Sequence, residues 1–223
     1  MAREKRILYV QYTNPGAYPP LEHSSRILAE AGWSVRFFGT GAYGAADSLV
    51  FPPHPDIVVR LWRFQSPGWR QKLHYLWFVA CCVANCVAWR PKVVYCSDPW
   101  STPIGVLVWY LLRIPVIYHE HDAPASPKNL VLRLVSAARR RLARVAAACV
   151  IPQRERLRQF EAELRPRLAL CVWNCPRREE VATLNGHHAA KGLNLFYVGS
   201  LNSSLLPETT VRVLSFIVFV DLK

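Results

Sequence analysis

Four separate stretches of the chain repeat one short pattern, an apolar run that ends in tyrosine and then breaks into polar or small residues: Ile7-Leu8-Tyr9, Val93-Val94-Tyr95, Val116-Ile117-Tyr118 and Leu195-Phe196-Tyr197. Short, nearly continuous apolar runs rich in β-branched residues suit strands buried on both faces, which is how parallel strands in α/β proteins read. The expected fold class is therefore α/β, a doubly wound parallel sheet of Rossmann-like type. The segments just past the runs carry the chemistry: Thr13-Asn14-Pro15-Gly16, Ser97-Asp98-Pro99, His119-Glu120-His121-Asp122 and Gly199-Ser200. Open α/β sheets bind ligands just beyond the carboxyl ends of their strands, so these segments fall where a site belongs.

Between these runs the apolar period switches to that of helices. Leu21, Ser24, Leu28 and Ala31 share one helical face, and Gly32 comes next as a stop. Strands are expected at Ser34 to Gly39 and Asp56 to Leu61, then a helix from Gly68 to Trp89, apolar nearly all round from Leu76 onward. That apolar run is shorter than the roughly twenty residues that span a bilayer. It reads as a core helix or as one that dips into a membrane interface. Strands Lys92 to Cys96, Pro115 to His119, Ala147 to Ile151 and Ala169 to Trp173 alternate with helices Trp100 to Leu112, Lys128 to Ala146 and Gln153 to Leu164. Right-handed crossovers would stack this alternation into one three-layer domain over residues 1–173. Residues 174–192 lose apolar periodicity and read as a linker. Residues 193–223 hold one strand and a helix start, which reads as the truncated beginning of a second Rossmann-like domain. The loop after the first strand has one glycine, Gly16, in place of a GxGxxG fingerprint, which argues against a dinucleotide cofactor.

The formal charge is +13, and much of it lies between Arg133 and Arg167, where ten arginines face three glutamates. Such a cluster suits an anionic membrane surface or a phosphorylated ligand, and equally a plain solvated face in an arginine-rich chain. Nucleic acid is not expected, because no helix-turn-helix, zinc or aromatic-basic motif accompanies the charge. Seven cysteines, an odd number without CxxC pairing, sit mostly in apolar runs and read as buried reduced thiols rather than a disulfide frame or a metal site. The basic start at Arg3, Lys5 and Arg6 leads into an apolar run broken by Gln11, which is not a secretory signal. A cytoplasmic location, peripheral at the inner membrane face, is the expectation.

The ordered set of segments resembles the amino-terminal domain of GT-B glycosyltransferases of the family 4-like group. The likeness rests on Tyr9 to Tyr18, on Val93 to Pro99 before a helix, and on Tyr118 to Asp122. It extends to Val150-Ile151-Pro152-Gln153, to Val172-Trp173-Asn174-Cys175-Pro176, and to Phe196 to Leu201. The resemblance implies two Rossmann-like domains facing across a cleft, the first holding the acceptor and the second a nucleotide-sugar donor. It also implies a retaining outcome and no catalytic metal or other cofactor, the nucleotide sugar being a substrate. The family's acidic ExxxxxxxE motif is not found after Gly199, so the chain reads mainly as the acceptor half.

His119, Glu120, His121 and Asp122 are the catalytic candidates, able to polarise an acceptor hydroxyl or hold a sugar hydroxyl by charge-assisted hydrogen bonds. His119 matches the strand-end position at which the family carries a site histidine. Asp98 is either a substrate-binding carboxylate or the cap of the helix after Pro99. Asn14 and Gly16 either bring backbone N–H groups to a donor phosphate or form a plain turn. Gly199 and Ser200 would line the cleft from the donor side. The expected function is transfer of a sugar from a nucleotide-sugar donor to a lipid-linked or saccharide acceptor. The alternative is a non-catalytic module that binds ligand or anionic membrane, and a third reading is a truncated product exposing the apolar tail Phe216 to Val220.

Overall fold

The computed structural model describes residues 5–122 and 129–175. Seven strands, β1 (Arg6–Val10), β2 (Ser34–Thr40), β3 (Ile57–Trp62), β4 (Val93–Cys96), β5 (Val116–His119), β6 (Ala148–Ile151) and β7 (Ala169–Cys171), form one sheet in the order β3-β2-β1-β4-β5-β6-β7. Every pairing is parallel. This is the Rossmann-like α/β fold expected from the apolar runs, and three of the four tyrosine-ended runs are β1, β4 and β5. The fourth, with the linker and the start of a second domain, lies outside the described residues.

Helices α1 (Pro19–Glu30), α2 (Trp69–Trp89), α3 (Thr102–Leu112), α4 (Leu130–Val145) and α5 (Arg154–Leu164) fill the connections. The period-two alternation of the strands divides the core in two. Leu8, Val10, Val94, Cys96, Val116 and Tyr118 point to the face covered by α2, α3, α4 and α5, through Phe78, Ile104, Leu142 and Phe160. Ile7, Tyr9, Val35, Phe37 and Tyr95 point to the other, where α1 packs through Leu21 and Ala29. Because β1 is followed by β2 on one side and paired with β4 on the other, chain direction across the sheet reverses between β1 and β4. In such sheets that reversal opens a crevice at the carboxyl ends of the strands.

Strand and helix boundaries fall within two residues of those expected. Gly32 takes φ +77 just past α1, the left-handed stop its sequence position implies. The reading of α2 as a core helix is corrected. Phe78, Cys82 and Cys86 anchor its inner side, but Trp69, Leu73, Leu76, Trp77 and Val87 are exposed, with Leu76 and Trp77 each 63% accessible. The helix spans Trp69–Trp89, within one residue of the bounds expected. Its 21 residues are, by length and composition, enough to cross a membrane, yet its inner stripe is packed on the sheet.

Phe78 is the residue on which that packing turns: it is wholly buried and meets the rings of Tyr12 and Trp62 edge-on at 5.2 and 5.3 Å. Phe78→Ala is expected to lower unfolding free energy by about 3–5 kcal/mol, measured by urea denaturation, since the space lies under a helix the sheet holds rigid.

Candidate functional site

The strand register builds the site. Val10 is opposite Cys96, and Cys96 is opposite Tyr118. One step further along each strand are Gln11, Ser97 and His119, on the same face as Tyr9 and Tyr95 one layer below. The ladder extends to this row, since Gln11 N donates to the Phe38 carbonyl at 3.0 Å and Ser97 N to the Val10 carbonyl at 3.1 Å. All three side chains are buried, at 1%, 1% and 3% exposure, and lie at the β1/β4 reversal. Among the described residues, both amide atoms of Gln11, Oγ of Ser97 and Nε2 of His119 have no hydrogen-bond partner, and the same holds for Nε2 of His121. Desolvated polar atoms left unpaired cost roughly 1–3 kcal/mol each, so a row of them at a crevice is a feature of recognition rather than of packing.

His119 is held from below. Its Nδ1 shares a 2.8 Å hydrogen bond with the Tyr95 hydroxyl, whose ring stands edge-on to the imidazole. His121 lies against it with ring centroids 3.8 Å apart, and Tyr18 covers His121 at 5.2 Å. Burial, then the neighbouring His121 and the Arg156 charge, push His119 down to about 3. Burial chiefly lowers His121 to about 4, with Arg156 adding to that and Asp122 opposing it. Both rings are thus neutral at physiological pH. The Tyr95 phenol is pushed up by burial and by Tyr9 and keeps its proton. When Tyr95 donates to Nδ1, His119 Nε2 carries a hydrogen for a ligand oxygen. In the other tautomer Nε2 accepts a hydrogen bond from a ligand hydroxyl, while burial and Arg156 oppose full protonation of the ring.

The strand alternation gives Glu120 a different task. It points to the opposite face with Tyr118, whose hydroxyl donates to it at 2.7 Å. Arg139 on α4 grips the buried carboxylate through Nε and Nη2, at 2.5 and 2.9 Å, and Arg156 on α5 stands 3.6 Å away. Arg139 reaches on to Glu163 at 2.9 Å. Glu120 is therefore the counter-ion that fastens α4 and α5 to the end of β5, and its lone pairs are engaged. Arg156 also donates to the His121 carbonyl, which steadies the loop after β5. Asp122 is exposed on that loop.

Asp98 caps the turn before α3. Its Oδ1 accepts from Ser101 N at 2.5 Å, the Ser101 hydroxyl answers its N–H, and its Oδ2 accepts from Tyr12 N at 2.6 Å. Of the two readings of Asp98 the structure gives the cap, with an added tie between the loops after β1 and β4. Burial pushes this carboxyl up to about 6 against the opposing hydrogen bonds. Asn14 likewise stitches its own loop. Its carbonyl takes Gly16 N at 3.0 Å, and its amide donates to the carbonyls of Ala46 and Leu49 at 2.8 and 2.9 Å. A Cβ on Gly16 would stand 2.7 Å from the Leu49 carbonyl, so the close approach requires glycine. The N–H of Gly16 is spent within the turn. Pro19 and Pro20, opening α1, have none to offer. Gly199 and Ser200 lie outside the described residues.

An open cavity of about 160 Å³ lies beside these loops, lined by Tyr12, Thr13, Thr40, Gly41, His74 and Trp100 among others. Among the described residues no three His, Cys, Asp or Glu side chains converge as a metal site. Gln11 is a site residue that the sequence pattern did not single out, and Ser97 and Tyr95, which lie in the segments it marked, were given no site role of their own. The available signal was their strand position, two residues beyond Tyr9, two beyond Tyr95 and two before Ser97 respectively.

A parallel sheet with this order, and a buried polar row at its reversal, define a Rossmann-like domain with a ligand crevice at its strand ends. Residues 19–173 match the glycosyl transferase 4-like domain, and the chain belongs to that family. The HepE protein of Anabaena, solved in complex with UDP-glucose, is similar at TM-score 0.52 and 21% identity, over 76% of this chain and 43% of that one. Sucrose-phosphate synthase of Thermosynechococcus elongatus is similar at TM-score 0.56 and 14% identity, over 76% of this chain and 48% of that one. The chain thus spans less than half the length of these structures. No curated protein sequence matches it.

Two measurements check the site's architecture. Glu120→Ala leaves Arg139 buried with only the exposed Glu163 as countercharge and is expected to cost about 3 kcal/mol in chemical denaturation. Acid titration of stability tests the histidines. Between pH 6.5 and about 4 the unfolded chain binds protons that folded His119 and His121 refuse, so unfolding free energy falls as pH falls. Asp98, protonated more readily when folded, acts in the opposite sense between about 6 and 3.8 and offsets part of the loss. His119→Gln/His121→Gln is expected to flatten or reverse the slope in this window.

Proposed function

We propose that the chain takes part in transfer of a sugar from a nucleotide-sugar donor to a hydroxyl acceptor, with the acceptor or the sugar seated on the row Gln11, Ser97 and His119. The carrying observation is that row, with its unpaired polar atoms buried at the β1/β4 reversal. Glycosyl transfer breaks the anomeric C–O bond to the diphosphate and forms one to the acceptor oxygen, whose proton must be received. His119, neutral and oriented by Tyr95, holds the acceptor hydroxyl by a hydrogen bond at Nε2, the proton passes to the departing diphosphate oxygen, and His121 and Ser97 position hydroxyls around it. Family membership and the neighbours solved with UDP-glucose, or with UDP and glucose, support a nucleotide-sugar donor.

The finer expectations belong to the same reading: a lipid-linked or saccharide acceptor, a retaining outcome, no metal in the step, and a cytoplasmic site of action. The last is supported by free thiols at Cys81, Cys82, Cys86, Cys96 and Cys149, which suit a reducing compartment. Gly199 and Ser200 stay within it as donor-side residues, Asn14 and Gly16 as the brace of the loop after β1, and Asp122 as a polar group at the rim.

A second reading, a module that binds ligand without chemistry, is favoured by the strand-end carboxylates Asp98 and Glu120, both of which are engaged by protein partners. Incubation of the folded chain with labelled UDP-glucose and other nucleotide sugars, with lipid extract and oligosaccharides as acceptors, separates the two. Transfer that His119→Ala lowers by about a hundredfold or more, with melting temperature nearly unchanged, is the expected result. Absence of transfer from every donor, or full activity in His119→Ala, would overturn the role assigned to His119.

A further inference from the structure

Helices α2, α3 and α4 lie side by side on one face of the sheet, α3 between the other two, and none of the three contains an aspartate or glutamate. Their outer surfaces are apolar and cationic together. On α2 the exposed positions 69, 73, 76, 77, 80, 84 and 87 follow helical spacing and form one stripe along its whole length, opposite the anchors Phe78, Cys82 and Cys86. Arg70 and Lys72 flank the stripe at its first turn, and both are exposed. On α3, Leu107 and Leu111 are exposed; on α4, Leu130 and Leu134 are 71% and 62% accessible and share the outer side with Arg133, Arg140, Arg141 and Arg144. Arg141 lies over the Tyr110 ring at 5.1 Å, which joins the α3 and α4 parts of the surface.

At the far end of α2 an open cavity of about 760 Å³ is lined by Val87, Leu112 and Ile114 together with Arg90, Lys92 and Arg113. Val87 is also the last residue of the exposed stripe. A pocket with aliphatic walls and three cations, and no acidic residue in its lining, fits a phosphate head group carried on an apolar stem.

We propose that the outer face of α2, α3 and α4 seats on an anionic lipid bilayer, with α2 lying in the plane of the interface. Charge decides the occupant. A second copy of the same face would set cations against cations, whereas anionic head groups supply the missing countercharge while the leucines and tryptophans enter the acyl boundary. The inner anchors of α2 exclude a spanning pose, because turning the helix across the bilayer would strip Phe78, Cys82 and Cys86 from the core. The proposal rests on this surface alone and is independent of the chemistry assigned to His119.

The test is sedimentation of the full chain with vesicles of pure phosphatidylcholine and of equimolar phosphatidylcholine and phosphatidylglycerol, at low and high salt. Binding to the anionic vesicles that weakens as salt rises is expected. Leu73→Ser/Leu76→Ser should weaken it about tenfold, and Arg140→Gln/Arg141→Gln should do so by a similar factor on anionic vesicles only. Because all four side chains point outward, melting temperatures should match the parent and a folding loss will not mask the result. Equal binding to both vesicle types, or anionic binding untouched by either variant, overturns the proposal. A self-associated species in analytical ultracentrifugation that Leu73→Ser/Leu76→Ser dissolves, without vesicle binding by the parent, also overturns it in favour of a second copy.

Discussion

Registered pairing of parallel strands is the constraint on which this structure depends. Each step along a strand turns the side chain to the other face, and pairing aligns like steps across neighbours. From Val10, Cys96 and Tyr118, one further residue on each of β1, β4 and β5 therefore delivers Gln11, Ser97 and His119 to a common row. The same rule divides the segment His119-Glu120-His121. Two imidazoles face the crevice, and the carboxylate between them faces α4 and α5. A one-residue slip of β5 would put Glu120 among the unpaired polar atoms and bury a histidine against Arg139. The site and the ion pair that supports it are products of one alternation.

The buried ion pair is a constraint of another kind. Taking Glu120 and Arg139 out of water is costly, and their mutual attraction offsets this only when geometry is good and the remaining lone pairs are satisfied. Here the guanidinium is bidentate, Tyr118 donates to one oxygen, and Arg156 stands near the other. Such a pair adds little net stability over apolar residues of similar volume. Its evident effect is to position: α4 and α5 are registered against the strand end that carries His119. The neutral state of the two histidines has its origin in the same surroundings, since Arg156 disfavours a second positive charge beside it.

Much of the fold is legible in the sequence, because buried parallel strands leave apolar runs and helices leave a 3.6-residue period. The general position of the site is legible too, since strand ends in such sheets are where polar segments collect. Individual roles are less so, for a physical reason. Whether a polar residue is a ligand group or a brace depends on what lies across from it in space. Asp98 and Glu120 look like site carboxylates along the chain, and both are engaged by protein partners. Gln11 looks like the ordinary end of a strand and Ser97 like a neighbour of Asp98, and their own roles become conspicuous only when register brings them beside His119. The basic segment divides in the same way. Arg139 turns inward to Glu120, while Arg133, Arg140, Arg141 and Arg144 remain on the outer surface, a difference that composition does not record.

Helix α2 has misleading composition for the same reason, and its placement ties the outer face to the crevice. An apolar helix is assumed to be central, yet only one stripe of this one is buried, and the opposite stripe carries the tryptophans and leucines. On its inner side Tyr12, the second residue beyond β1, packs edge-on against Tyr75 and Phe78 and shares a 3.0 Å hydrogen bond with His74. The backbone N–H of Tyr12 is also the donor to Asp98, which caps the turn into α3. The loop after β1 is thus clamped between α2 and the start of α3, within a residue of Gln11. The outer stripe of α2 and the row of Gln11, Ser97 and His119 lie on opposite sides of the sheet, and the clamped Tyr12 loop at the strand ends is the structural element that touches both.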